Sequence, residues 1–180
     1  RDGRVLKLFD KYLQYLYKRI REVPMKQWSS ARIGDLLYCI RWYCEQGEKE
    51  HIHTEGDSFD IHALVRMLRE QALDWADIFE DFPFTRPAGY YYNWDKEYSH
   101  FSWEDYHDTM KYHANHIVNV TMGFKYPAML SYFFEDRDYG AISLAGIENA
   151  RKYHGVASGA VNGDEHLSGN NPSQGAELCS

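Results

Sequence analysis

A chain of 180 residues, 44% hydrophobic and 26% charged, is long enough for one domain with a core of its own. Its formal charge of -7, with no block dense in lysine and arginine, argues against a nucleic-acid or anionic-membrane partner, because both need a concentrated basic face. No apolar run approaches the roughly 20 residues that span a bilayer, and the start RDGRVLKLFDKYL has no secretory h-region; Arg1 is not an initiator methionine, so the sequence leaves the compartment open.

The elements read as helices almost throughout. Val5, Phe9, Tyr12, Leu13, Leu16 and Ile20 form an i, i+3/i+4 stripe that Pro24 ends. Ser29 and Ser30 are placed to cap a second helix carrying Ile33, Leu36, Leu37, Ile40 and Tyr43 on one face, with Gly47 just beyond its end. Cys39 and Cys44 sit five apart in that helix and point away from each other, so they read as buried thiols; with Cys179 they make no disulfide framework. A third helix runs from about residue 57 through Leu64, Leu68, Trp75 and Phe79 to the break at Pro83.

The aromatic-rich stretch TRPAGYYYNWDKEYSH is a loop by its proline, glycine and asparagine. Its tyrosines and tryptophans suit either helix packing or the face of a sugar. Ser102 and Asp105 have capping-box spacing and open a fourth helix that runs to about Met122, where Gly123 breaks it. Two more helices follow, over 126–135 and 139–153. From Gly155 onward the helical period vanishes and glycines crowd the chain, which predicts a loop. Short connectors between antiparallel helices imply stacked hairpins, which curve into a solenoid or close into a toroid; no repeat favours the solenoid.

The closing run GDEHLSGNNPSQGAELCS holds most of the candidate chemistry. Glu177 and Cys179 project to the same side of an extended segment, and a carboxylate beside a thiolate suits zinc. Two ligands fall short of the three or four that zinc takes, so on spacing alone an incidental glutamate and a free thiol account for the pair better. In Asp164-Glu165-His166, adjacent carboxylates can raise one another's pKa and so make a proton donor, or the triplet is a solvated acidic turn. His113 and His116, an i, i+3 pair with His107 two turns earlier, read as polar-interface histidines more readily than as a metal pair; His51 and His53 read as surface loop.

The runs YHANHIVNVTMGFKYPAMLSYFFEDRDYGA and YHGVASGAVNGDEHLSGNNPSQGAELCS resemble the catalytic domain of glycoside hydrolase family 127, the β-L-arabinofuranosidases, most specifically over 112–180. The resemblance implies an all-α fold, part of an (α/α)6 toroid of the six-hairpin glycosidase type, with residues 1–180 as the N-terminal portion of a single catalytic domain. It implies a retaining, zinc-thiolate glycosidase that releases β-L-arabinofuranose or a related sugar from plant-derived glycans. By the same resemblance Glu165 is the acid/base, Glu177 and Cys179 are zinc ligands, and His116 in NHIVN contacts the sugar. Ala176 stands inside the family's G-E-x-C motif, and the loop between the two glutamates is a few residues shorter. Family members complete the zinc site with two adjacent cysteines, one of them the nucleophile, far downstream of this motif. The expectation is therefore a fragment, inactive alone, whose remaining zinc ligands lie beyond Ser180. A non-catalytic carbohydrate-binding toroid with a structural or lost zinc site is the competing reading.

Overall fold

A computed structural model describes residues 3–50, 59–86 and 110–170, and within them the protein is predominantly α-helical. In chain order the helices are α1 (Arg4–Glu22), α2 (Gln27–Ala31), α3 (Ile33–Glu50), α4 (Ile61–Gln71), α5 (Trp75–Glu80), α6 (Met110–Asn115), α7 (Ile117–Gly123), α8 (Lys125–Leu130) and α9 (Tyr139–His154). Two very short antiparallel strands follow, β1 (Gly163–Asp164) and β2 (His166–Leu167). No helix among the described residues is long and apolar enough to cross a membrane.

Helix boundaries follow local chemistry. The side chain of Asp60 accepts from Ala63 N at the start of α4, Asp74 accepts from Ala76 N and Asp77 N at the start of α5, and Asp138 accepts from Ala141 N at the start of α9. The continuous third helix expected from about residue 57 is two helices, because the Asp74 cap starts a new one after Gln71; Asp57 lies outside the described residues. Ser29 and Ser30 do not cap α3. They lie within α2, where Ser29 Oγ receives the N–H of Lys26 at 3.0 Å and Ser30 Oγ donates to the Gln71 carbonyl. Gly47 falls inside α3, not past its end.

Helix α8 packs on α3, and α9 packs across α5 and α8. Trp75, Phe79, Tyr126, Leu37, Ile40 and Leu130 form the centre of this core. Close approach is bought by glycine: a Cβ on Gly123 would lie 2.5 Å from the Trp75 ring, and one on Gly146 2.5 Å from the Phe79 ring. Trp75 also donates its indole N–H to the Ala31 carbonyl at 2.7 Å, tying α5 to α2.

The buried face of α1 is rotated from the expected stripe. Leu6, Asp10, Leu13, Leu16 and Ile20 are buried, whereas Val5 and Tyr12 are exposed. Asp10 belongs inside because Tyr43 donates to its Oδ1 at 2.6 Å and Gln14 to its Oδ2 at 2.8 Å. The thiols also differ from expectation: Cys39 is exposed and Cys44 half-buried, since α3 turns its Leu37, Ile40 and Tyr43 face inward. The aromatic segment 89–106, with its Ser102 and Asp105 cap, lies outside the described residues, as do His51, His53 and His107.

After α9 the chain folds back on a buried histidine. His154 Nδ1 accepts the N–H of Gly169 at 2.9 Å, which fixes the tautomer with the proton on Nε2, and Nε2–H donates to the Phe84 carbonyl. Asn162 N donates to the His154 carbonyl at 2.7 Å, and Asn162 Nδ2 to the Gly169 carbonyl at 3.1 Å. The glycine-rich stretch is thereby pinned at both ends of a tight hairpin, and Glu165 sits at its tip.

Candidate active site

The fourth predicted helix breaks at His116, and that break builds the site. His116 leaves the helical region (φ -67°, ψ 124°) and its backbone bridges to His166 of the hairpin. The first N–H of α7, on Ile117, has no acceptor within its own helix and is satisfied by the Glu165 carbonyl at 2.9 Å. Gly163 is required beneath this junction, since a Cβ there would lie 2.5 Å from the His166 carbonyl oxygen and 2.8 Å from Ile117 Cδ1.

Glu165 and His116, distant in sequence, are in contact. The Glu165 carboxylate is 61% exposed, and its Oε2 lies 3.3 Å from His116 Nε2 and 3.3 Å from Tyr112 Oη. Tyr112 and His116 are both buried. Trp28 of α2 walls the cluster, its ring meeting His113, His116 and Tyr112 edge-on at 4.7, 4.9 and 5.8 Å between centroids. His166 meets Tyr112 edge-on at 4.8 Å from the other side.

Burial pushes the His116 imidazole down to about pKa 4, with His166 and Arg32 acting in the same direction and Glu165 opposing. It is neutral near pH 7. The Glu165 contact calls for the proton on Nε2, leaving Nδ1 a bare acceptor that is buried without a hydrogen-bond partner. Arg32 lies over the Trp28 ring at 4.8 Å and donates from Nε to Asn119 Oδ1 at 2.9 Å; Asn119 in turn donates to the His113 carbonyl at 3.1 Å. This network braces the backbone of α6 from behind.

Backbone strain gathers at the same place. Among the described residues two non-glycine positions have positive φ: Glu165 at 66°, and Gln27 at 51°, immediately before Trp28. Such conformations cost on the order of 1–3 kcal/mol each and persist where the surroundings enforce them, often at functional sites.

A carboxylate exposed at a rigid tip, held from behind by two neutral donors, can exchange a proton with a bound molecule. His116 faces Glu165 and is only 5% exposed. Glu177 and Cys179 lie outside the described residues. Among the described residues, no group of three or more His, Cys, Asp or Glu side chains is arranged to hold a metal ion. The sequence reading missed Tyr112 and Trp28; Tyr112, four residues before His116, occupies the same helix face by the i, i+4 rule, whereas nothing local marks Trp28. No family model, curated protein or solved structure matches the chain.

Proposed function

We propose that this chain belongs to the catalytic domain of a retaining glycoside hydrolase of the zinc-thiolate type, built on an (α/α)6 toroid and acting on β-L-arabinofuranosides or a related plant-derived sugar. The observation that carries the reading is the placing of Glu165: a strained hairpin tip presents its carboxylate to solvent while Tyr112 and His116 hold it from behind. Glu165 protonates the departing glycosidic oxygen in the first step and takes a proton from the attacking water in the second. The carboxylate is open to solvent on a hairpin tip, where a bound molecule could meet it.

Glu177 and Cys179 would hold the zinc ion, and a carboxylate with a thiolate is a donor pair that zinc accepts. When bound, the ion keeps coordinated thiols deprotonated at neutral pH. The family resemblance assigns the remaining ligands, including the nucleophilic cysteine, to positions outside these 180 residues.

The reading is tested by incubating the full-length protein with an aryl β-L-arabinofuranoside and following the first-formed anomer by proton NMR. Release of the β-anomer is expected. Initial release of the α-anomer would overturn the retaining mechanism, and sugar binding with no turnover would overturn the enzyme assignment and favour a carbohydrate-binding module.

A further inference from the structure

Both donors that reach Glu165 from behind meet the same oxygen. Tyr112 Oη and His116 Nε2 each lie 3.3 Å from Oε2. We propose that Tyr112 and His116 are positioning residues that engage Oε2 and so reserve Oε1 of Glu165 as the oxygen that exchanges a proton with substrate; this rests on the acid/base role given to Glu165 above.

The argument is geometric. A glutamate on a surface turn ordinarily samples several rotamers, and its two oxygens are equivalent. Here the backbone is fixed by the Ile117 N–H to Glu165 C=O bond, and two donors on buried scaffolds remove the equivalence. The donors are themselves buried and packed. Tyr112 and His116 share one face of α6 and its break, and Trp28, braced by Arg32, closes the wall behind them. A neutral imidazole orients the carboxylate without setting a full positive charge beside it, which would favour the ionised form and oppose proton donation in the first step. The charged and titratable groups acting on His116 are Glu165, His166 and Arg32.

The proposal separates His116 from sugar contact. A residue that bound the sugar directly would change KM for every substrate on removal. One that aims the acid changes kcat in proportion to the need for a proton, so the loss grows as the leaving group becomes more basic.

The experiment uses the full-length protein with two substrates, an alkyl glycoside with a basic leaving group and a nitrophenyl glycoside with an acidic one. Tyr112→Phe and His116→Leu are expected to lower kcat on the alkyl substrate by about tenfold each, with a smaller loss on the nitrophenyl substrate and little change in KM. His116→Gln, whose amide can place a donor near the Nε2 position, should recover part of that loss. Glu165→Gln is run beside them as the control. If it shows a strong leaving-group dependence while Tyr112→Phe and His116→Leu track wild type on both substrates, the positioning proposal fails and the glycosidase reading stands. If Glu165→Gln shows no leaving-group dependence, the acid/base reading fails and takes the positioning proposal with it. Tyr112→Phe removes a single oxygen and keeps the ring, so it reports on the contact even where His116→Leu does not fold.

Discussion

His116 Nε2 lies 3.3 Å from Glu165 Oε2, although one residue starts a helix and the other tips a hairpin. The contact exists because the helical run from Met110 to Gly123 breaks at His116, where the backbone bridges to His166 and Ile117 N–H binds the Glu165 carbonyl. One interruption therefore fixes the backbone and the side chain of Glu165 together.

Stability should fall with acid. Burial lowers the pKa of His116 to about 4 and lowers that of His154 as well, so in the window below the ordinary 6.5 the unfolded chain binds protons that the folded chain does not. Their contribution is complete above pH 6.5 and falls as the solution is acidified; that of His116 is lost toward pH 4, on the order of 2–3 kcal/mol by pH 4.5. Urea midpoints at pH 7.5 and 4.5 check this. His154→Gln should be destabilised at pH 7.5, where Gly169 N–H and the Phe84 carbonyl lose a partner, and should lose less than wild type on acidification.

Replacing Gly146 by alanine should destabilise the fold despite alanine's better helix propensity. Propensity favours the change by about 1 kcal/mol, but the new Cβ would sit 2.5 Å from a fully buried Phe79 ring, and overpacking of that kind costs typically 1–3 kcal/mol. Thermal melting of Gly146→Ala, with Gly140→Ala in the same helix as the uncrowded control, decides the sign.

Helix content was legible because apolar spacing reports burial directly, and Leu13, Leu16, Ile20, Leu37, Ile40, Leu64 and Leu68 all lie in the core. What misled was chemistry that periodicity ignores. Asp10 enters the core because Tyr43, from another helix, supplies a donor, and this rotates the inward face of α1 away from Val5 and Tyr12. Nothing in the run from Met110 to Gly123 marks a break at His116, since the partner that compensates it, the hairpin, is remote in sequence. The resemblance singled out Glu165 and His116 separately, and their contact was not legible in the sequence. Trp28 was invisible for the same reason: its role comes from α2 meeting α6 in space.

Gly163→Ala should damage the site more than the fold. Its Cβ would press on the His166 carbonyl and Ile117, the two points that seat the hairpin. Activity of the full-length variant should drop by about tenfold or more, while its melting temperature changes by only a few degrees. Wild-type kinetics in this variant would show that the hairpin tolerates displacement and that its seating does not aim Glu165.

Cys179→Ser should lower zinc content and thermal stability of the full-length protein together, because metal bound only by the folded state stabilises that state. Metal analysis by mass spectrometry with parallel melting curves checks it. One full equivalent of zinc retained in the variant would remove Cys179 from the ligand set.

The most direct test is the leaving-group dependence of Glu165→Gln in the full-length protein. A positioned proton donor contributes typically 10²- to 10⁴-fold, mostly where the leaving group is too basic to depart unaided. The variant should therefore lose about that much on a natural disaccharide and far less in the first step on a nitrophenyl glycoside, with azide partly restoring the second step. Equal losses on both substrates with no azide effect would mean that Glu165 holds structure at the hairpin tip and does not transfer a proton.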